Sequence, residues 1–188
     1  MKAPRRSIVR LAVTLVLACA AWFAQADQNA PSLDGLFERL TVAGSADEAS
    51  RIEAEIWQAW YEPPGEEAGR YVLQIESAMR LRQLDQALSA SDTLVERFPS
   101  FAEGWNRRAT VRYLLDDLDG SVADIERTLA LEPRHFGAIS GLGLIFLKQD
   151  DLSGALEAFE AVLELSPASR SAREGAERVR ARMNDRDI

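Results

Sequence analysis

The chain has 188 residues, 47 % hydrophobic and 28 % charged, with Lys+Arg 22 against Asp+Glu 30, a formal net charge of −8 and a pI near 4.8. That length suits one domain, and the apolar fraction suits a packed core, which excludes intrinsic disorder and, with Gly 11 and Pro 7, a collagenous or linker-like chain. The acidic balance argues against nucleic acid and anionic lipid as ligands, and one His, one Cys and three Met are too few for an ordinary zinc, haem or iron–sulfur site, so no metal or cofactor is expected.

Residues 1–26 read as a secretory signal. Lys2, Arg5, Arg6 and Arg10 stand without an acid before the apolar run Leu11 to Ala24, and Ala24-Gln25-Ala26 offers the small residues a signal peptidase needs, so cleavage is expected after Ala26. Fourteen apolar residues at ~1.5 Å rise span about 21 Å, short of the ~30 Å hydrocarbon core, so no membrane insertion of the mature chain is expected. Val16-Leu17-Ala18-Cys19 resembles a bacterial lipobox that would lipidate Cys19, although Ala20 to Ala24 stays apolar where a lipoprotein turns polar. The mature chain would be periplasmic, free of cysteine, and net −12, with 18 basic and 30 acidic side chains.

Residues 27–67 carry ten acids against two Arg. Leu33 to Leu40 and Ala46 to Trp60 have helical spacing, and Ser45 with Glu48 forms a capping box for the second stretch. Ile52, Ile56, Trp57 and Trp60 make a bulky stripe on that helix. The pair is expected to pack as a hairpin on the element that follows, with its acids forming a solvated surface and Glu62-Pro63-Pro64-Gly65-Glu66-Glu67 as the connection.

Pro99, Pro133 and Pro167 are 34 residues apart and divide the chain into blocks 68–101, 102–135 and 136–169. Each block holds two apolar-periodic stretches split by a polar turn, Leu81-Arg82-Gln83-Leu84 in the first, Leu115-Asp116-Asp117-Leu118 in the second and Gln149-Asp150-Asp151-Leu152 in the third. The proline stops the second helix of each pair. Leu142-Gly143, Phe146, Ala155, Phe159 and Pro167 in the third block, with Trp105, Ala109 and Leu131, and with Tyr71, Ala87 and Leu94, in the others, resemble the tetratricopeptide (TPR) repeat, in an exported bacterial form. Arg108, Arg112 and Ser121 depart from that pattern, as does Ile75 at a normally small position.

The fold expected is all-α, a short right-handed α-solenoid with an N-terminal helical hairpin and, over 170–188, a C-terminal capping helix. Gly143 and Ala155 should mark a close helix crossing, Ala109 and Ser121 another, and Ile75 against Ala87 a wider one. The capping helix has six Arg against four acids and a thin stripe of Ala172, Ala176 and Val179.

Catalytic patterns are absent from the sequence. Asp117, Asp119, Gly120 and Glu126 fall at four positions of a calcium loop whose first position is Leu115, and Asp117 and Asp151 fit better as caps of the second helices. His135 reads as an exposed loop histidine with no nucleophile to activate, and Gly141-x-Gly143 lies inside a helix and packs it. No enzyme activity is therefore expected. The resemblance implies that a ligand touches the inner helices, which offer Val72, Glu76, Met79 and Arg80, then Asn106, Thr110, Tyr113 and Leu114, then Ser140, Leu144, Leu147 and Lys148. The family's clamp for a C-terminal carboxylate is not expected, since Val72, Glu76, Gly137 and Gly141 stand where it needs Lys, Arg and Asn. The reading is a periplasmic module that binds a protein or peptide in a concave groove. A self-associating or lipid-anchored envelope component is its first rival, a carboxylate-only hydrolase its second, and the oligomeric state stays open.

Overall fold

A computed structural model describes residues 30–186, so the leader, its cleavage site and Cys19 lie outside the described residues. Nine helices and no strands make up the described residues, in the order α1 (Ala30–Thr41), α2 (Ala46–Tyr61), α3 (Glu66–Arg80), α4 (Leu84–Arg97), α5 (Ala102–Leu114), α6 (Leu118–Leu131), α7 (Phe136–Lys148), α8 (Leu152–Leu165) and α9 (Arg170–Asn184). None of them is long and apolar enough to cross a membrane.

The three pairs α3/α4, α5/α6 and α7/α8 are built on one recurring turn. Arg82, Asp116 and Asp150 take left-handed φ values of 56°, 66° and 63°. The N–H of the next residue then donates back across the turn, from Gln83 to Ala78, Asp117 to Arg112 and Asp151 to Phe146, each at 2.9 Å, which closes the first helix of each pair. Asp117 and Asp151 accept from the Gly120 and Gly154 N–H groups at 3.0 and 3.1 Å, capping α6 and α8 as their spacing implied.

Neighbouring pairs meet through α4 on α5 and α6 on α7, and α9 stacks on α8 as a further first helix. The first helices α3, α5, α7 and α9 also touch one another in sequence, more closely than the second helices do, so they line the inside of the curve. Val111, Ile145 and Val179, spaced 34 residues apart, are fully buried, the packing position of each first helix. At the same position in α3, Ser77 is exposed, and with Tyr71, Gln74, Gln86, Ala90 and Thr93 it borders an open hollow of about 570 Å³. Among the described residues the array therefore ends at α3/α4 with a polar face and no helix laid across it.

The crossings follow the small residues, with one change of partner. Ser121 Oγ donates to the Ala109 carbonyl at 2.8 Å, and Ile75 is buried in the same cluster as Ala87. Gly143 makes room for Phe159 rather than Ala155: a Cβ there would lie 2.9 Å from the ring, and one on Gly175 would lie 2.8 Å from it. One aromatic ring is thus held between α7 and α9.

The N-terminal hairpin corrects the sequence expectation. It does not stack on α3/α4; α1 packs on α8 and α2 on α5, along the edge formed by the turns before α7 and α9. Leu33, Phe37, Leu40, Ala49, Ile52, Ile56 and Trp60 are buried in one core with the second and third pairs and α9, while the first pair shares a smaller core with Phe101 and Val111. Its acids are not merely solvated. Asp34 pairs with Arg134 at 2.7 Å, Asp47 with Arg170 at 3.2 Å, and Glu53 accepts from Ser166 Oγ at 2.9 Å. The capping box closes one residue early, since Ser45 Oγ accepts from Glu48 N–H while the Glu48 carboxylate accepts from Gly44 N–H. Gly65, at φ 100°, turns the chain into α3, whose first turn holds Glu66 and Glu67, where the helix dipole favours acids.

Candidate functional site

The candidate groove is the inner face of α3, α5, α7 and α9. The hairpin closes part of it. Trp60 stacks on His135 with ring centroids 4.1 Å apart and planes 10° apart, and Trp57 meets His135 and Phe136 edge-on at 5.4 and 5.3 Å. Space for the Trp57 indole exists because residue 137 is glycine: a Cβ there would lie 2.3 Å from it. The Arg107 guanidinium lies 4.9 Å over the Tyr61 ring. Burial against α5 raises the Tyr61 hydroxyl above its ordinary pKa, and the nearby Glu103 carboxylate adds to the effect.

His135 is fully buried, not the exposed loop residue its sequence position suggested. Its Nδ1 accepts from the Ala138 N–H at 3.2 Å and caps α7, so the neutral ring carries its proton on Nε2, which faces Glu103 Oε2 at 3.3 Å. Glu103, only 3 % exposed, also accepts from Asn106 Nδ2 at 2.8 Å and pairs with Arg107 Nε at 3.0 Å, and Arg107 in turn holds Glu76 at 3.0 Å. Two of the residues expected to face a ligand, Glu76 and Asn106, thus serve this internal network.

A second network explains the departures from the repeat pattern. Arg108 grips Asp124 in two-point fashion at 2.9 and 2.7 Å and reaches Asp92 on α4 at 2.9 Å, while Arg112 reaches Asp124 at 3.0 Å. Burial works against the Arg108 charge, but pairing with Asp124 and Asp92 outweighs it and the guanidinium pKa is raised. Arg108, Arg112 and Asp124 therefore substitute as a set for the apolar contacts that Leu142, Phe146 and Ala158 make 34 residues on.

The remaining candidates fall into two groups. Val72 is buried in the first-pair core, and Met79, Tyr113, Ser140 and Leu147 are half-buried, with Tyr113 under the Lys148 ammonium at 4.9 Å. Arg80, Thr110, Leu114, Leu144 and Lys148 are exposed. The exposed large hydrophobic side chains among the described residues are Val42, Tyr61, Leu73, Leu81, Leu114 and Leu144. Leu73, Leu114 and Leu144 sit on α3, α5 and α7, Leu81 follows α3, and Tyr61 ends α2 beside α5; the outer helices α4, α6 and α8 carry none.

Sequence reasoning passed over Trp57, Trp60, Tyr61, Glu103, Arg107 and His135 as groove-forming residues. A signal was available, since Glu103 and Arg107 stand in 34-residue register with Gly137 and Gly141. Charge in one repeat and glycine in the next marks a face whose neighbour changes.

The tetratricopeptide-repeat family model matches residues 72–124 and 115–170. A TPR repeat-containing protein of Rhizobium etli is 34 % identical over 142 residues, covering 76 % of this chain and 70 % of that protein. The chain belongs to the TPR family. Among solved TPR structures, the Sgt2 TPR domain from Aspergillus fumigatus superposes with a TM-score of 0.61 at 20 % identity, covering 66 % of this chain and 84 % of that one. The first TPR of Spaghetti (RPAP3), bound to an HSP90 peptide, gives 0.60 at 18 % identity over 66 % of this chain and 98 % of that one. The MamA protein gives 0.57 at 16 % identity and spans 95 % of this chain and 86 % of its own. These likenesses show a shared TPR fold.

Proposed function

We propose that the chain is a non-catalytic interaction module of the bacterial periplasm that holds a protein or peptide segment on the open part of its inner face. The observation that carries this reading is the placement of exposed apolar side chains, which favours Leu73, Leu114 and Leu144 on the inner helices and leaves the outer helices polar. Scattered exposed leucines need no explanation; three on successive inner helices form a surface a ligand can cover. The Spaghetti (RPAP3) structure, where the same fold holds a peptide, supports a peptide segment as the kind of ligand. A rigid stack limits the ordering cost of binding mainly to the ligand. The leader supports export, and the mature chain would begin at Asp27.

The test is site-specific photo-crosslinking in intact cells, with the reactive residue at Leu114 or Leu144 and a control at Glu126 on the outer helix α6. Discrete adducts from the two inner positions but not from Glu126, on a chain of mature mass in the periplasmic fraction, are the expected result. Adducts of equal yield from all three positions would remove the groove assignment, and recovery of the unprocessed chain in the cytoplasm would remove the periplasmic one.

A further inference from the structure

The 34-residue register continues into α9, since Gly175 and Val179 repeat Gly141 and Ile145, so α9 lines the inner face as a fourth helix. In that register Leu114 follows Arg80, and Arg178 follows Leu144. Leu144 lies one helical turn before Lys148, the register position of Leu114, so the stripe across four successive helices steps by one turn between α5 and α7 and carries a cation, two exposed leucines and a second cation. Other cations along this face are neutralised within the protein. Lys148 pairs with Asp116 at 2.7 Å and Arg182 with Asp150 at 3.0 Å, both using the left-handed turn aspartates, and Arg107 is held by Glu103 and Glu76. Arg80 and Arg178 are exposed and make no ion pair among the described residues, although Glu174 lies one turn before Arg178 on α9. A chain with 30 acids against 22 bases therefore leaves two arginines uncompensated at the ends of its apolar stripe.

Resting on the groove reading above, we propose that this stripe takes an extended segment of a partner protein carrying a carboxylate at each end of an apolar pair. Packed helices lie about 10 Å apart, so three intervals separate Arg80 from Arg178 by roughly 30 Å. An extended chain of polyproline-II form advances about 3.1 Å per residue with three residues per turn, which places a side chain on the same face every third residue, about 9 Å on. The partner pattern is an acid, an apolar residue three positions on, another after three more, and a second acid after three more. The apolar pair covers Leu114 and Leu144, and the acids meet Arg80 and Arg178.

Fluorescence anisotropy of the full chain with three labelled, end-blocked decapeptides tests this. All are serine except at positions 1, 4, 7 and 10. The first has Asp, Leu, Leu, Asp there, the second Lys, Leu, Leu, Lys, and the third Asp, Ser, Ser, Asp. The expected result is binding of the first about tenfold or more tighter than of either other peptide. Arg80→Glu with Arg178→Glu, checked for unchanged helicity, should reverse the order of the first two. Equal binding of both leucine peptides, lost in Leu114→Ser/Leu144→Ser, would overturn the acidic-end assignment and leave the groove reading standing. Failure of both leucine peptides to bind would overturn both.

Discussion

Glu103 shows how much one side chain can organise. It is nearly fully buried, and it answers a backbone-capping histidine, an arginine and an asparagine at once. A buried carboxylate is tolerated only when its partners are in place, and removing it strands their charge and donors. Glu103→Ala should therefore cost about 3 kcal/mol in urea unfolding, in the range for a broken buried pair. Glu76→Ala, which removes the half-exposed end of the same chain of contacts, should cost less than about 1 kcal/mol. Similar losses from both would mean that burial does not set the value of these pairs. The Arg108, Arg112 and Asp124 set carries the same lesson. As isolated letters the two arginines looked like erosion of the repeat, and only the antiparallel packing of α5 on α6 brings Asp124 into reach of both.

At the level of elements, the turns were legible and the docking of the hairpin was not. Helix periodicity and the aspartate caps are local signals, written within a dozen residues of the feature they specify, and the 34-residue spacing only repeats them along the chain. The stripe of Ile52, Ile56 and Trp60 is equally legible, but it states only that something covers it. Its complement is assembled from the Gly137 gap, the His135 ring and Ser166, in segments far along the chain, and no local pattern announces that fit. The open groove was legible in part, because the repeat register finds inner-face positions without revealing that Glu76 and Asn106 are already engaged. Of the three left-handed turn residues, Asp116 and Asp150 hold Lys148 and Arg182, whereas Arg82 makes no comparable contact. A left-handed L-residue costs about 1–2 kcal/mol, and glycine there adds about 0.5–1 kcal/mol of chain entropy to lose on folding. Arg82→Gly should thus raise stability by about 0.5 kcal/mol. Asp116→Gly should gain less, because it also releases Lys148. A lower melting temperature for Arg82→Gly would contradict the turn argument.

The molecule as a whole is held by two unequal cores. The larger joins the hairpin, the second and third pairs and α9; the smaller holds α3 and α4 to the edge of α5. Segments sharing a core open together, and fewer buried contacts mean a lower opening free energy. Native-state hydrogen exchange should find amides around Ile75 and Leu94 less protected than those around Ile145 and Val162, with Ile52 and Ile56 opening alongside the latter. Uniform protection across all helices would rule out this division.

The pairing of Asp47 with Arg170, 123 residues apart, sets this protein apart from an array whose repeats meet only their neighbours. Neighbour-only arrays can nucleate anywhere and grow outward, but a clasp between distant segments must wait for its loop to close and slows the search. The hairpin is synthesised, and on the export reading translocated, before any residue of the surface it needs. Its aromatic stripe, with Trp57 and Trp60, waits for His135, Phe136 and Gly137, and its contacts through Glu53 and Asp47 wait for Ser166 and Arg170, so a segment made early is seated late.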